Sequence, residues 1–450
     1  MLNNTVNVRD GNTTPVAYKH TEIGIIPKDW NVVPLVNICK EIGDGIHATP
    51  IYSESGEYYF INGNNISNGN IFTDDNTKKV NESEFLKHQK KLTKKTILLS
   101  INGTIGNTAL YKEERLVLGK SAAYLTIKDN TSEEFIYYII QTSQTKKQFD
   151  DGMTGSTIKN LGLATIRKTI VPVPTIEEQT AIASALSDTD ALINALEQLI
   201  TKKQAIKTTT MQQLLTGRTR LPKFTKNSNG NLKHYKHSDL GLTPEGWEIS
   251  TLDKLGSFKN GVNKGAQDFG HGDPFVNLMD VFGKLSIDSP EHLGLIKSTD
   301  SDKKEYSLEK GDVLFIRSSV KPSGVGLTTL INKRLKNTVF SGFLIRFRSN
   351  EKICDKFKEY CFSERGFRER LIASSTVSAN TNINQNSLKK MTILFPKELN
   401  EQIAIATILS DMDAELEALK QKLSKVRDIK QGMMQQLLTG RIRLPLGHRP

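Results

Sequence analysis

Cysteine is scarce in this sequence of 450 residues, which has only Cys39, Cys354 and Cys361. No CxxC pair is present, and this excludes a zinc ribbon and a disulfide framework. Cys354 and Cys361 lie seven residues apart in a predicted helix, where we expect them to be inert, since free cysteine packs as a small apolar residue. With so few cysteines, the cytoplasm is the expected compartment.

Long apolar runs are also missing. No run approaches the roughly 18–20 apolar residues that span a bilayer, which excludes an integral membrane protein. The N-terminal stretch MLNNTVNVRDGNTTPV lacks the apolar core and cleavage site typical of a signal peptide, so secretion is not expected.

The sequence has none of the common motifs of catalysis. It contains no GxxxxGK[ST] phosphate-binding loop, no HExxH motif and no Asn-Pro-Pro-Tyr or Asp-Pro-Pro-Tyr motif of amino-methyltransferases, and its eight histidines lack metal-ligand spacing. The Gly-rich NGTIGN at 102–107 follows a predicted strand without opening a helix, which favours a turn over a dinucleotide site. We therefore expect no catalytic residue, no metal site and no cofactor in this chain.

Positive charge is in excess, with 61 Lys and Arg against 49 Asp and Glu and a formal net charge of +12. Such an excess favours a polyanionic partner, although charge alone does not identify it.

The chain is a tandem repeat. Residues 178–222 and 401–445 align without gaps, with 27 identities in 45 positions. Upstream, residues 18–35 match residues 235–252, again without gaps. Two copies of one plan are therefore present, each with an N-terminal motif, a variable domain and a long helix.

These anchors predict the domain boundaries. They are a flexible tail at 1–17, a first variable domain at 18–174, a central helix at 175–217, a linker at 218–237, a second variable domain at 238–396, a C-terminal helix at 397–440 and a tail at 441–450.

Both long segments carry apolar residues at alternating spacings of three and four, the pattern of a coiled-coil seam. Two such helices in one chain favour an intramolecular antiparallel pair; the alternative is a coiled coil between two copies. Thr189, Lys203 and Lys207 interrupt the first seam, where polar groups could fix the pairing. Gly217 and Gly440 are the predicted residues at which the helices end.

The variable domains alternate short β-like runs with helical stretches at 132–149 and 351–373. We therefore expect an α+β fold in which two tandem-repeat domains, each a mixed sheet or barrel with helices, are separated by two long helices that form an antiparallel coiled coil.

Polar loops between these runs supply candidate DNA-binding residues. Asn and Gln can pair with adenine and Arg or Lys with guanine, whereas Ser, Thr and Lys suit phosphate. The candidates are Asn102, Thr104, Thr154, Ser156, Thr157, Lys159, Arg317, Ser318, Ser319, Lys321, Thr376, Asn380, Asn382 and Asn384. Four basic residues at the helix ends are candidates for docking a partner protein or contacting phosphate, with solvated ends as the alternative: Arg218, Arg220, Arg441 and Arg443.

At this point a family resemblance is specific. The motif EQxAIAxxLSDxD occurs at 178–190 and 401–413, and MQQLLTGRxRLP occurs at 211–222 and 434–445. Together with IGIIPKDW at 23–30 and LGLTPEGW at 240–247, they make the chain resemble the specificity (S) subunit of a Type I restriction–modification system. The resemblance covers the chain from about residue 18.

The resemblance implies that each variable domain is a target-recognition domain for one half of a bipartite site on double-stranded DNA. It also implies that the helices set the gap between half-sites and dock two methyltransferase (M) subunits, which carry S-adenosylmethionine. Two restriction (R) subunits would add ATP- and Mg-dependent translocation and cleavage, so this chain would direct adenine methylation without being an enzyme. The alternatives are a coiled-coil adaptor without DNA recognition and a solitary enzyme such as a fused nuclease.

Overall fold

The structure is a computed structural model that describes residues 17–155 and 159–445. Its contacts divide the chain into two compact units. Unit 1 runs to Glu197 and takes in the chain again from Lys422 onward, whereas unit 2 spans Gln198–Gln421. Each unit therefore contains one variable domain, the beginning of one long helix and the end of the other.

The first half of the chain combines short strands with helices, followed by one long helix. The strands are β1 (Tyr18–Thr21), β2 (Gly24–Pro27), β3 (Asn31–Pro34), β4 (Cys39–Asp44), β5 (Tyr58–Ile61), β6 (Ile66–Ser67), β7 (Asn70–Ile71), β8 (Lys79–Val80), β9 (Thr96–Ser100), β10 (Thr108–Leu110), β11 (Leu116–Leu118), β12 (Ala122–Ile127) and β13 (Ile170–Val173). The helices are α1 (Leu35–Ile38), α2 (Glu82–His88), α3 (Glu133–Ile140), α4 (Ser143–Asp151), α5 (Leu163–Lys168) and the long α6 (Ile176–Leu215).

The described part of the second half follows a similar plan with additional short strands and one more helix. Its strands are β14 (Tyr235–Ser238), β15 (Gly241–Pro244), β16 (Trp247–Thr251), β17 (Gly256–Asn260), β18 (Phe269–Val276), β19 (Ser286–Ile287), β20 (Gly294–Ile296), β21 (Val313–Ile316), β22 (Ser318–Ser319), β23 (Thr328–Ile331), β24 (Val339–Phe340), β25 (Leu344–Ser349), β26 (Thr376–Val377), β27 (Thr381–Asn382) and β28 (Thr392–Pro396). Its helices are α7 (Leu252–Leu255), α8 (Leu278–Val281), α9 (Asp300–Glu305), α10 (Asp355–Cys361), α11 (Arg365–Ala373), α12 (Gln385–Lys390) and the long α13 (Leu399–Leu437).

The central sheet of unit 1 is buried on both faces. Its strand order is β10-β9-β12-β4, with every neighbouring pair antiparallel. Leu99 and Ala123 lie opposite each other and pack in the core that contains α3, whereas the next pair, Leu98 and Tyr124, packs in a second core with β5 and β11. Period-two alternation therefore gives each face its own apolar contacts.

Unit 2 has the corresponding antiparallel order β17-β25-β21-β23, and β19 is added beside β23 in parallel. Phe315 and Ile345 lie opposite each other and pack in the core with α10 and α11. Leu314 and Leu344 pack in the separate core on the other face. The α+β fold of the two tandem domains is thus confirmed.

The two predicted helices inside the variable domains are each interrupted. The stretch at 132–149 forms α3 and α4, because the Thr142 side chain accepts a hydrogen bond from the Thr145 amide at 3.3 Å and starts a new helix. The stretch at 351–373 begins only at Asp355 and divides where Glu364 caps α11, accepting the Gly366 and Phe367 amides at 2.6 Å each. Local capping by one polar side chain thus decides both breaks.

Helices α6 and α13 pack antiparallel within each unit, as predicted. In unit 1, Lys430 lies 2.6 Å from Asp190 and Arg427 lies 2.5 Å from Glu197. From the first contact to the second, the residue number rises in α6 and falls in α13, so the helices are antiparallel.

In unit 2 the predicted polar interruptions of the seam are ion pairs. Lys203 lies 2.7 Å from Glu415, and Lys207 pairs with Asp413. The same direction results, so the two lysines contribute charge complementarity between the helices. The third interruption, Thr189, bonds the backbone carbonyl of Ala185 within its own helix at 2.9 Å.

A buried cluster of arginine, glutamate and tryptophan joins the parts of unit 2. Arg220 donates to both carboxylate oxygens of Glu401, at 2.9 and 2.6 Å, and Trp247 donates its indole Nε1–H to the same carboxylate at 3.2 Å. The side chains of Arg220 and Glu401 are only 4% and 1% exposed. The cluster therefore binds the end of α6, the start of α13 and the variable domain together.

Unit 1 contains the same cluster at the repeated positions. Arg443 donates to the Glu178 carboxylate, with Nη2–Oε2 at 2.7 Å, and Trp30 donates to Glu178 at 3.1 Å. Arg443 also binds both oxygens of Asp29, at 3.0 and 2.9 Å, and this contact lowers the pKa of the Asp29 carboxyl. Here the arginine follows α13 and the glutamate lies in α6. In each unit, the cluster therefore includes an arginine that follows the long helix begun in the other unit.

The glycine of the repeated LTGR sequence is required by its conformation and by close packing. Gly217 and Gly440 both have φ of +67°, as predicted for residues that end a helix. A Cβ on Gly440 would lie 2.5 Å from Pro27 Cγ. The Gly440 carbonyl also accepts a hydrogen bond from the Tyr18 hydroxyl at 3.0 Å, and Tyr235 makes the same contact to Gly217.

The remaining residues of the EQxAIAxxLSDxD motif hold the variable domain on the helix. In unit 1, the Gln179 side chain accepts the Ser132 amide at 2.9 Å, directly before α3. Asp190 accepts the Tyr138 hydroxyl at 2.9 Å, and burial with this carboxylate raises the pKa of Tyr138.

In unit 2, Gln402 accepts the Cys354 amide at 2.8 Å and Asp413 accepts the Tyr360 hydroxyl at 3.0 Å. The near-identity of the two motif copies is thus explained by identical structural contacts.

The buried arginine–glutamate pair predicts a large, local stability effect. We expect Arg220→Ala to lower the free energy of unfolding by about 3–5 kcal/mol, because it leaves the Glu401 carboxylate buried without its counter-charge. Its exposed neighbour provides the control, and Arg218→Ala should change stability by less than about 0.5 kcal/mol. Urea unfolding of the full chain measures both; equal effects would contradict the role given to the cluster.

The cysteines are free, with Cys39 and Cys361 buried and Cys354 half-buried. Burial raises the pKa of the Cys39 thiol from 9.0 to about 12, and it also raises the pKa of Cys354. We expect Cys39 to resist iodoacetamide at pH 8 in the folded chain and to react in urea, because the thiolate is the nucleophile. Since the folded-state pKa is raised, stability should fall as pH rises from about 9 towards 12. Rapid alkylation of the folded chain at Cys39 would refute the burial.

Candidate nucleic-acid interface

The first predicted loop of unit 1 follows β9. NGTIGN forms a turn, as expected, with Gly103 and Gly106 at φ of +73° and +89°. Asn102 forms a β-bridge with Asn160. Thr104 donates its hydroxyl to the Gly63 carbonyl at 3.1 Å and thereby ties the turn to the segment after β5.

The second predicted segment of unit 1 lies directly beside this loop. Thr154 is exposed and forms a β-bridge with Asn160, with mutual backbone hydrogen bonds of 3.1 and 2.9 Å. Lys159 precedes Asn160 and is exposed. The candidates Ser156 and Thr157 lie outside the described residues.

In unit 2 the corresponding segments form a three-stranded sheet in the order β22-β27-β26. Asn382 is paired with Ser318 on one side and with Thr376 on the other. The structure therefore brings three candidates from two separate segments into one row across the sheet. The row is half-buried at Ser318 and Asn382 and exposed at Thr376.

The two units have the same backbone arrangement here. The Leu161 amide donates to the Ile101 carbonyl at 3.0 Å, and the Ile383 amide donates to the Arg317 carbonyl at 2.9 Å. We call each set of three cross-strand neighbours a row. The row of unit 1 is Asn102–Asn160–Thr154, and the matching contacts make it equivalent to the row Ser318–Asn382–Thr376 of unit 2.

Asn160 is not among the candidates that the sequence predicts. A signal for it exists, because residues 154–174 align without gaps with residues 376–396, which places Asn160 opposite Asn382. Few positions are identical in this stretch, so the alignment becomes clear only once the paired strands are seen.

Other candidates of unit 2 surround its row. Arg317 is half-buried and donates to the Gly342 carbonyl at 3.3 Å, while Ser319 and the exposed Lys321 flank Val320. Two apolar side chains stand among them, with Val320 83% and Val377 76% exposed. The surface thus combines polar, basic and apolar groups.

Two asparagines nearby have local structural roles. Asn384 is the N-cap of α12 and accepts the Ser387 amide at 2.9 Å. Asn380 presents its backbone carbonyl to the Asn382 amide group at 2.9 Å and thereby orients it. Asn384 is therefore occupied on its oxygen, whereas the Asn382 side chain keeps its oxygen and one N–H free for a ligand.

The four basic residues at the helix ends divide into two pairs. Arg220 and Arg443 lie in the intramolecular clusters described above, which occupy their guanidinium groups. Arg218 and Arg441 are exposed. Within residues 17–155 and 159–445, no group of three or more His, Cys, Asp or Glu side chains is placed to hold a metal ion. No helix in the described part of the chain is long and apolar enough to cross a membrane.

A family model described as the Type I restriction modification DNA specificity domain matches residues 27–208 and again 244–427. The chain belongs to this family. Its members are the specificity subunits of Type I restriction enzymes and have no catalytic activity of their own, so the chain is a specificity subunit and not itself an enzyme.

Full-length relatives agree with this assignment. The chain is 27% identical over 451 residues to the putative Type I restriction enzyme MjaX specificity subunit of Methanocaldococcus jannaschii, covering 95% of this chain and 97% of that protein. It is 20% identical over 433 residues to the EcoKI specificity subunit of Escherichia coli, covering 93% and 90%.

Solved structures share the fold. The S subunit of a Type I restriction–modification system from M. genitalium superimposes with a TM-score of 0.54 at 17% identity, covering 91% of this chain and 96% of that one. A chain from a structural study of complex assembly in the Type I system also matches with a TM-score of 0.54, at 14% identity, covering 93% of this chain and 99% of that one.

The cap at Asn384 separates a structural role from a role in binding DNA. We expect Asn384→Ala to lower the free energy of unfolding by about 1 kcal/mol through loss of the cap. Asn384→Asp keeps an oxygen for the Ser387 amide and should be as stable as the parent in thermal unfolding. If Asn384 also contacts DNA, the aspartate variant binds DNA more weakly at unchanged stability; equal binding would remove Asn384 from the interface.

Proposed function

We propose that each variable domain of this specificity subunit reads one half of a bipartite target on double-stranded DNA. The observation that carries the proposal is the pair of equivalent cross-strand rows, one in each unit, built from residues of different loops. A common backbone with different side chains is suited to reading two different sequences, because strand pairing uses main-chain atoms and leaves side chains free.

The side chains at these rows have the chemistry of base recognition. Asn can bond adenine and Arg can bond guanine through paired hydrogen bonds in the major groove. Val320 and Val377 offer exposed methyl groups, which suit contact with the methyl group of thymine. Lys159 and Lys321 are exposed cations beside the rows and are suited to phosphate.

The long helices are proposed to set the gap between half-sites and to dock the methyltransferase subunits. Helix α6 keeps Leu192, Leu199 and Ile206 partly exposed at intervals of seven residues, outside its buried contacts with α13. Such a repeated apolar stripe is typical of a helix that receives a further partner. Arg218 and Arg441 add exposed positive charge after the two helices.

In this proposal the methyltransferase subunits bring S-adenosylmethionine and methylate adenine, and restriction subunits bring ATP and Mg for cleavage. In the proposal, the specificity subunit binds none of these groups and determines only the DNA sequence at which the complex acts. Because the subunit acts on the DNA of the cell, we propose the cytoplasm as its location. The domain boundaries predicted from the repeat also belong to this proposal.

The experiment is co-expression of the chain with its cognate methyltransferase subunit in a host without adenine methylation, followed by sequencing for N6-methyladenine. We expect one split motif, with two short half-sites around a fixed gap. A soluble, active complex that methylates adenine without any sequence preference would contradict the proposal.

Arg317→Ala tests the independence of the two domains. In the same assay, we expect it to relax specificity in one half-site only, because Arg317 belongs to unit 2. Arg334→Ala is the control, since this exposed arginine of unit 2 lies outside the row and pairs with Glu309. An unchanged motif, or equal loss in both half-sites, would remove Arg317 from recognition.

A further inference from the structure

The centre of each row is an asparagine. Asn160 in unit 1 and Asn382 in unit 2 are each bridged on both sides, to Asn102 and Thr154 in the first case and to Ser318 and Thr376 in the second. Directly opposite residues of paired strands have Cβ atoms about 5 Å apart on the same face. The central asparagine is thus held by backbone pairing on two sides, while its side chain projects with its neighbours.

The side chains of the unit 1 row are free for a ligand. Among the residues that the structure describes, Asn102, Asn160 and Thr154 form backbone bridges, and their side-chain polar atoms have no hydrogen-bond partner. Asn160 is half-buried, so part of its surface is already withdrawn from water. A fixed and partly desolvated amide without an internal partner gains most from a ligand that satisfies both its oxygen and its nitrogen.

The amide of Asn382 is oriented for such a ligand. One N–H of its side chain donates to the Asn380 carbonyl at 2.9 Å, which holds the amide plane. The oxygen and the second N–H remain, one acceptor and one donor side by side. This is the pattern that pairs with the N6 amino group and N7 of adenine in the major groove.

We infer that Asn160 and Asn382 make the same contact in the two half-sites, a paired hydrogen bond to an adenine, while the residues around them differ and give each half-site its own sequence. This inference rests on the proposed function. Directly beside the central asparagine, the two rows differ: Asn102 occupies the first position in unit 1 and Ser318 occupies it in unit 2.

The test uses the full chain in complex with its methyltransferase subunits and duplexes that carry the split motif found for the parent. Each adenine of the motif is replaced in turn, and methylation rates give the discrimination at that position. We expect Asn160→Ala to lose about 5- to 150-fold discrimination at one adenine of one half-site, and Asn382→Ala to do so in the other half-site.

Asn160→Asp distinguishes a lost contact from a folding defect, because this variant is expected to acquire a new base preference. A carboxylate accepts hydrogen bonds but cannot donate one to N7, and it suits the amino group of cytosine. Preference at the affected position should therefore shift from adenine towards cytosine, which a misfolded domain would not produce. Asn37→Ala is the matched control, an exposed asparagine of unit 1 on α1, and should leave the motif unchanged.

The outcomes separate the inference from the proposal on which it rests. If the parent complex shows no split motif, the proposed function fails. If the parent motif is clear but Asn160→Ala and Asn382→Ala discriminate as the parent does, the inference alone is overturned. Loss at a base other than adenine, or loss in both half-sites from one substitution, would also overturn it.

Discussion

The architecture depends on two buried glutamates, Glu178 and Glu401. A carboxylate withdrawn from water must be paired, and each is bonded by one arginine and one tryptophan indole. In both units the arginine follows one long helix and the glutamate lies at the start of the other. The charge on one side chain thereby ties together three segments that are far apart in sequence, and the antiparallel direction of the helices follows from it.

The uneven divergence of the two halves has the same physical basis. Gly217 and Gly440 cannot accept a Cβ where they lie, and the motif glutamines and aspartates satisfy buried backbone and hydroxyl groups. A substitution there leaves a clash or an unpaired polar atom. The rows of the candidate interface carry less constraint, since main-chain atoms make the strand pairing there. A constant frame whose side chains can differ suits the proposed recognition of two different half-sites.

Much of the architecture followed from local patterns. The gapless repeat, the seam spacing of the helices and the alternating runs of the sheets predicted the two α+β domains and the antiparallel pair, because apolar periodicity records which face is buried. The seam spacing also identifies Lys203 and Lys207 as polar interruptions, although their partners, Glu415 and Asp413, lie in the other long helix. Several candidate DNA-binding residues were found by residue type alone, and their contacts with bases stay a prediction.

The tertiary structure decided which of the polar residues are free. Arg218 and Arg220 look alike in sequence, yet only Arg220 is buried against Glu401, at the start of the other long helix. Asn384 and Asn382 look alike as well, but one caps a helix and the other stands at the centre of a row. No local pattern marks Asn160, because one of its two bridge partners, Asn102, lies 58 residues earlier in the chain. Local periodicity in the sequence specifies the repeat and its elements. The availability of each side chain depends on long-range burial and pairing, which no local pattern records.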